Sequence, residues 1–367
     1  MKRFVLIPAL LLAAALAALA VPPWHAGEAL LVLADLGAGN GPSLLKTVAP
    51  PPERRPVSFG GRHGDLYLPG DKAGAAIVLV PGAAKTGKDD PRLVALANTL
   101  ARARFLVLVP DIPSLRALEV SASDREPILE AVRWLASERH PPSIGVAAIS
   151  YAAAPAVLAA LAEPRVDFVV AVGGAYDLTQ VVTFFVTGHY REEPGQPWRT
   201  MAPNAYGKWV FIQSNAARMD DSGDRALLAA IAQRKMADLA APIDDLRARL
   251  SPQGRAVMAL LDTTDPEQVP VRIAALPPKI KGELKALDLA SHDLSALKAR
   301  LLLIHGRDDR IIPWTESAAL ARAAPRASLV LLDNLSHADL KAGGVADGVA
   351  LWRAVVALLE ERDRAGQ

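Results

Sequence analysis

The chain has 367 residues, 51% of them hydrophobic and 22% charged, which is core material for one large or two ordinary domains and excludes a disordered chain. Its 41 basic and 39 acidic residues leave a formal charge of +2, with no excess to mark a nucleic-acid partner. Cysteine is absent, which excludes disulfides, a thiol nucleophile and any Cys-ligated zinc or iron–sulfur site.

Lys2 and Arg3 precede an uncharged apolar run from Phe4 to Val21, the layout of an export signal, and Ala18-Leu19-Ala20 offers an Ala-x-Ala cleavage site. The run is also close to the length that spans a bilayer. Residues 1–21 are therefore expected to be a signal peptide or an N-terminal membrane anchor. The protein would be exported or membrane-anchored, extracytoplasmic in a bacterium, and membrane association would run through this segment. A buried N-terminal helix of a cytoplasmic protein is the third reading. Removing Lys2 and Arg3 leaves 41 − 2 = 39 basic against 39 acidic residues, a neutral body. Residues 22–55 are weakly patterned, with a short helix expected at Glu28–Leu36 and then Gly/Pro-rich stretches, and read as a lead-in or tether.

Residues 56–175 alternate strands and helices. Arg55 to Leu68 predicts two strands turning at Gly60-Gly61, and Ala75–Val80 a buried strand ended by Pro81-Gly82-Ala83. A helix is expected from Asp90-Pro91, with Leu93, Leu96, Ala97, Leu100 and Ala101 on one face. The strand Phe105–Val109, the helix Asp124–Arg139, the strand Ile144–Ile149, an Ala-rich helix over roughly Tyr151 to Glu163 and the strand Val166–Val172 follow. Continuous apolar strands alternating with helices predict an α/β fold: a mostly parallel central sheet covered on both faces, with ligands at the carboxyl ends of the strands. Ser150, Pro81-Gly82 and Asp111 lie at such ends.

The rhythm breaks after Gly173. Residues 176–298 show helical patterns at Arg225–Leu239, Ile243–Leu250 and Arg255–Leu261 but no buried strand, and read as an inserted helical cap. Phe184, Phe185, Tyr190, Trp198, Tyr206 and Trp209 concentrate aromatics there, most as cap core and one or two as candidates to line an apolar pocket. Residues 299–367 resume the sheet with Arg300–Ile304, a helix at Ser317–Ala324, a last strand Ser328–Leu332 and a closing helix Val345–Glu361.

Ser150 has no loop on either side, between a strand and a helix, where a sharp turn forces its side chain out of the sheet edge. Ala148 and Ala152 keep that turn sterically open; the alternative is a serine capping an Ala-rich helix. Acyl transfer by a serine needs a base for its proton and a carboxylate to orient that base. Asp309 follows one late strand and His337 the next; 337 − 309 = 28 residues suits one helix, one strand and their loops.

On these residues the chain resembles the α/β-hydrolase family, over roughly Val57 to Glu361. The family's nucleophile elbow falls on Ala148-Ile-Ser150-Tyr-Ala152, with alanines where glycines are usual. Its acid loop falls on Gly306-Arg-Asp-Asp309-Arg-Ile-Ile-Pro313, favouring Asp309 over Asp308, and its histidine loop on Leu335-Ser-His337. The resemblance implies an α/β-hydrolase fold with an inserted helical cap and a Ser150–His337–Asp309 triad. It also implies an oxyanion hole from the backbone N–H groups of Ala83 and Tyr151. A His-Gly-Gly oxyanion motif is absent. The expected activity is that of a serine esterase or lipase-like enzyme on a small or lipidic ester, with no cofactor and no metal. Asp177, after the strand Val166–Val172, is a second candidate acid, with helix capping as the plainer role. His305 sits near Asp309, and His25, His63, His140, His189 and His292 have no metal-ligand spacing.

Three alternatives stay open: an acyltransferase with the same triad, a non-catalytic binding member, and a nucleotide-binding loop. The last rests on Gly82-Ala-Ala-Lys-Thr-Gly87-Lys88, which matches Gly-x4-Gly-Lys but continues with Asp89-Asp90 where a hydroxyl should hold Mg²⁺.

Overall fold

The computed structural model describes residues 22–335 and 344–364. The expected signal or anchor, 1–21, and His337 lie outside the described residues. The strands are β1 (Glu53–Phe59), β2 (Arg62–Leu68), β3 (Ala75–Val80), β4 (Phe105–Pro110), β5 (Ile144–Ile149), β6 (Phe168–Val172), the two-residue β7 (His189–Tyr190) and β8 (Arg199–Thr200), β9 (Arg300–Gly306) and β10 (Ala327–Leu332). Eight of them form one sheet in the order β1-β2-β4-β3-β5-β6-β9-β10, while β7 and β8 pair separately. β1 and β2 make an antiparallel hairpin whose turn, Gly60 (φ 54°) and Gly61 (φ 77°), needs two left-handed residues. β2 meets β4 antiparallel, and from β4 to β10 all pairs are parallel.

Parallel strands covered on both faces must be apolar throughout, and the expected Ala75–Val80 and Ile144–Ile149 runs match β3 and β5 residue for residue. Val146 and Ala148 of β5 pack on the face covered by the helices Arg125–Glu138 and Ala153–Ala162. Ala147 and Ile149 point to the other face, covered by the helices Pro23–Ala38, Pro91–Arg102 and Val345–Asp363.

The helix Pro23–Ala38 corrects the expectation of a tether. Sixteen residues long, it packs against the C-terminal helix, where Trp352 Nε1 donates to the Ala26 carbonyl at 3.0 Å and the buried Arg362 pairs with Glu28 and Asp363. At its end Asp35 is fully buried, accepting from Thr99 Oγ1 at 2.6 Å and from Ser43, and pairing with Lys46 at 2.8 Å and Arg102 at 3.3 Å. Burial alone would raise the Asp35 carboxyl, but the Lys46, Ser43 and Thr99 hydrogen bonds hold it below its ordinary 3.8. Most of these partners are distant in sequence, so local pattern could not show the docking.

Between β6 and β9 the chain runs through helices with a core of their own, including Val182, Phe185, Phe211 and Ile231. The helix Leu178–Thr187 begins this segment, and three carboxylates meet its start. Asp177 Oδ1 accepts from Thr179 and Gln180 N–H, Asp288 Oδ1 from Leu178 N–H, and Glu316 Oε2 from Tyr176 and Asp177 N–H. A helix N-terminus favours negative charge, yet three acids compete for one end. Burial above all pushes the Glu316 carboxyl up to about 8. A carboxyl raised from 4.5 binds its proton more tightly folded than unfolded, so its contribution is full below pH 4.5 and is lost as pH rises through about 8. Glu316→Gln keeps an oxygen acceptor and removes the titration. Denaturant melts across pH 4–9 are expected to show wild-type stability falling over that window and a flatter curve for the variant, which gains on wild type toward the alkaline end.

Candidate active site

Ser150 follows the last residue of β5 and opens a 3₁₀ turn, Ser150–Ala152, that passes directly into the helix Ala153–Ala162. Its φ is 59°, a left-handed conformation that costs a residue with a Cβ about 1–2 kcal/mol. Ala148 and Ala152, two residues to either side, are both buried. A serine that merely capped the helix would have extended backbone; this one turns the chain through a strained corner.

The loop after β3 runs beside it. A side chain grown on Gly82 would meet the Ile149 carbonyl oxygen at 3.4 Å and Ser150 Cβ at 3.8 Å. Pro81, Gly82, Ala83, Ser150 and Arg92 line a cavity of about 480 Å³, together with Leu36 at the end of the N-terminal helix. Tyr151 N–H belongs to the first turn of the elbow helix, where no upstream carbonyl can receive it. Both backbone groups expected to face an oxyanion, Ala83 and Tyr151, thus adjoin Ser150.

Asp309 is 1% exposed, and its Oδ1 accepts from the N–H groups of Ile311 at 2.8 Å and Ile312 at 3.1 Å. Burial first, and then the charge of Asp309, pushes the Tyr151 hydroxyl up to about 12, so this carboxylate acts on the residue next to the serine. His305 is fully buried behind the loop: its Nε2 lies 2.9 Å from the Ile312 carbonyl, which can only accept, and 3.3 Å from Asp309 Oδ2. Its Nδ1 meets Ser317 Oγ at 2.7 Å. His305 therefore buttresses the acid loop. Asp308 does something different, accepting the Leu335 N–H at 3.0 Å and so tying the acid loop to the loop after β10. Gly306 permits that approach, since a Cβ there would fall 2.0 Å from the Leu335 carbonyl oxygen. Asp347 accepts from Asp333 N–H at 2.7 Å and Asn334 N–H at 3.2 Å. The chain leading to His337 is thus pinned just before that residue, which itself lies outside the described residues.

Asp177 is occupied as a helix cap, and burial followed by the neighbouring Asp288 raises its carboxyl. Lys88, the lysine of the Gly-x4-Gly-Lys match, pairs with Asp65 at 2.8 Å and Asp89 at 3.2 Å, and the helix beyond starts at Pro91, away from any phosphate cradle. Of the aromatics, Phe184 and Phe185 are cap core, whereas Tyr206 is exposed. Sequence reasoning missed the clamp made by Asp308 and the place of Leu36 at the serine cavity. The first signal was present as a second aspartate in the acid loop; the second needed the docked N-terminal helix.

The strain at Ser150 can be measured. Ser150→Gly relieves the left-handed backbone and Ser150→Ala keeps it, so the glycine variant should be the more stable of the two by about 1 kcal/mol in chemical denaturation, even though glycine costs more entropy on folding. A glycine variant less stable than alanine by about 0.5–1 kcal/mol, the entropic cost alone, would mean that the corner carries no strain.

No protein-family model matches the chain. Two curated sequences match short stretches. "Putative carbamate hydrolase RutD" of Pseudomonas syringae pv. syringae (strain B728a) is 38% identical over 76 residues, 21% of this chain and 27% of that protein. The protein of the same name from Pseudomonas savastanoi pv. phaseolicola (strain 1448A / Race 6) is 46% identical over 55 residues, 14% of this chain and 21% of that protein. The chain thus spans about a quarter of the length of the relatives it matches. Among solved structures, a Legionella pneumophila protein described as "a putative hydrolase" superposes with a TM-score of 0.51 at 16% identity, covering 83% of this chain and 84% of that one. At that identity the likeness speaks to fold alone, and with the eight-stranded sheet and its parallel crossovers it gives this chain the α/β-hydrolase fold.

Proposed function

We propose that the protein is a serine hydrolase that cleaves carboxylic esters through an acyl-enzyme. The observation that carries this reading is Ser150 itself, held at φ 59° at the carboxyl end of β5 and facing a cavity edged by the loop after β3. Ser150 Oγ attacks the ester carbonyl while His337 takes its proton, and Asp309 orients the imidazole and balances its positive charge. The carbonyl oxygen becomes an oxyanion between the N–H groups of Ala83 and Tyr151, where such donors commonly lower the barrier by ~3–4 kcal/mol. His337 then protonates the departing alcohol. Water, activated by the same histidine, attacks the acyl-enzyme and releases the acid and the free serine.

Two observations support the division of labour. Asp308 is engaged in holding Leu335, whereas Asp309 is buried beside the elbow with Oδ1 fixed by two N–H groups. The same machinery would open a carbamate, the substrate class named for the two relatives matched over short stretches. Acyl transfer to an alcohol is the other reading of the triad, and it would show as acylated acceptor when an alcohol is added. An exported or membrane-anchored location, carried by residues 1–21, belongs to the same proposal.

Turnover of p-nitrophenyl acetate and butyrate by the full chain tests the roles. Ser150→Ala, His337→Ala and Asp309→Asn should each lower kcat by on the order of 10⁴ with little change in KM. Asp308→Asn should lower it far less and chiefly reduce stability. A wild-type rate in Asp309→Asn, with loss in Asp308→Asn, would reassign the acid.

A further inference from the structure

A second cavity lies on the sheet face beneath the N-terminal helix. It is about 110 Å³ and lined by aliphatic side chains alone, among them Leu33, Leu36, Leu96, Ala147, Ile149 and Val172. Ala147 and Ile149 belong to β5, which has a strand on each side and helices above and below, yet both keep some exposure. A void therefore faces them. Leu36, Leu96 and Ile149 border this chamber and the serine cavity alike, so the two adjoin directly beside Ser150.

We infer that this chamber receives the acyl chain of the substrate, which makes the protein a hydrolase of medium-chain esters whose acyl group lies under the N-terminal helix. The inference rests on the serine-hydrolase reading of Ser150. A chamber with purely aliphatic walls stays dry when empty, and its lining lacks van der Waals partners that an alkyl chain would supply. The chamber floor crosses β3, β5, β6 and β9 through Leu79, Ile149, Val172 and Ile304. From β5, which leads into Ser150, two strand spacings to β9 make roughly 10 Å, the reach of an acyl chain of about eight carbons. The roof is fixed, since Asp35 and the Arg362–Glu28 pair anchor the N-terminal helix at both ends.

The competing place for the chain is under the cap, on the far side of Tyr151. That cavity is smaller, about 70 Å³, and shares no lining residue with the serine cavity. The chamber beneath the N-terminal helix shares three, Leu36, Leu96 and Ile149.

The test is the chain-length profile of the full-length protein in mild detergent on p-nitrophenyl esters from acetate to palmitate, with fluorophosphonate labelling beside it. Wild-type kcat/KM should rise about fourfold per methylene, the equivalent of about 0.8 kcal/mol, peak near eight carbons and then fall. Leu33→Trp, which fills the chamber from the helix, should cut the octanoate-to-acetate ratio of kcat/KM at least tenfold, and Leu33→Ala should move the peak to longer chains. Leu284→Trp, under the cap, should leave the ratio within about twofold. The alanine variant keeps the test decisive if the tryptophan variant does not fold. Acetate turnover with a flat wild-type profile, or a ratio that responds to Leu284→Trp and to neither Leu33 variant, overturns the inference while leaving the serine-hydrolase reading intact. No adduct and no ester turnover in a folded protein overturns both.

Discussion

The structure turns on the corner at Ser150. A left-handed serine persists only where its surroundings leave no alternative, and here the parallel register of β5 between β3 and β6 fixes one side while the buried helix Ala153–Ala162 fixes the other. The flanking alanines make the turn sterically feasible where glycines would be usual. Because the sheet holds the corner, the serine stands at the strand's carboxyl end, where the loops after β3, β9 and β10 gather. The strain is local and small beside the burial of the strands that impose it.

Those loops are not independent. Asp308 binds the loop that leads to His337, and Gly306 leaves room for Leu335 to come close. Ile312, whose N–H fixes Asp309, has its side chain in the core of the helical segment between β6 and β9. Glu316, at the start of the helix after the acid loop, reaches the first backbone N–H groups of that segment. The acid loop thus braces the β10 loop on one side and the helical segment on the other.

How much of this the chain disclosed beforehand depended on where the partners lie. The buried strands were plain because parallel sheets need unbroken apolar runs, and the helix at Pro91 was plain from its Asp-Pro start and its one apolar face. The helices Leu178–Thr187 and Gly207–Ala216 were not expected, because Val, Thr, Phe and Trp are weak helix formers whose packing inside the segment overrides propensity. Ile243–Leu250 shrank to a single turn, Asp244–Arg247. The N-terminal helix was read as a tether because its apolar residues run around it and its anchors, Thr99, Arg102, Trp352 and Arg362, are far away in sequence. Ser150 and the two late loops were legible from their places after strands. The choice between Asp308 and Asp309 came from the resemblance; in the structure Asp308 accepts the Leu335 N–H, while Asp309 accepts from Ile311 and Ile312.

The central claim is that Ser150 is a nucleophile. Its most direct measurement is reaction of the full-length protein with a fluorophosphonate, followed by intact mass and peptide mapping, wild type beside Ser150→Ala. The account predicts one adduct per chain, mapped to Ser150 and absent from the variant. A folded wild-type protein that takes no adduct, or an adduct that persists in Ser150→Ala, would contradict it.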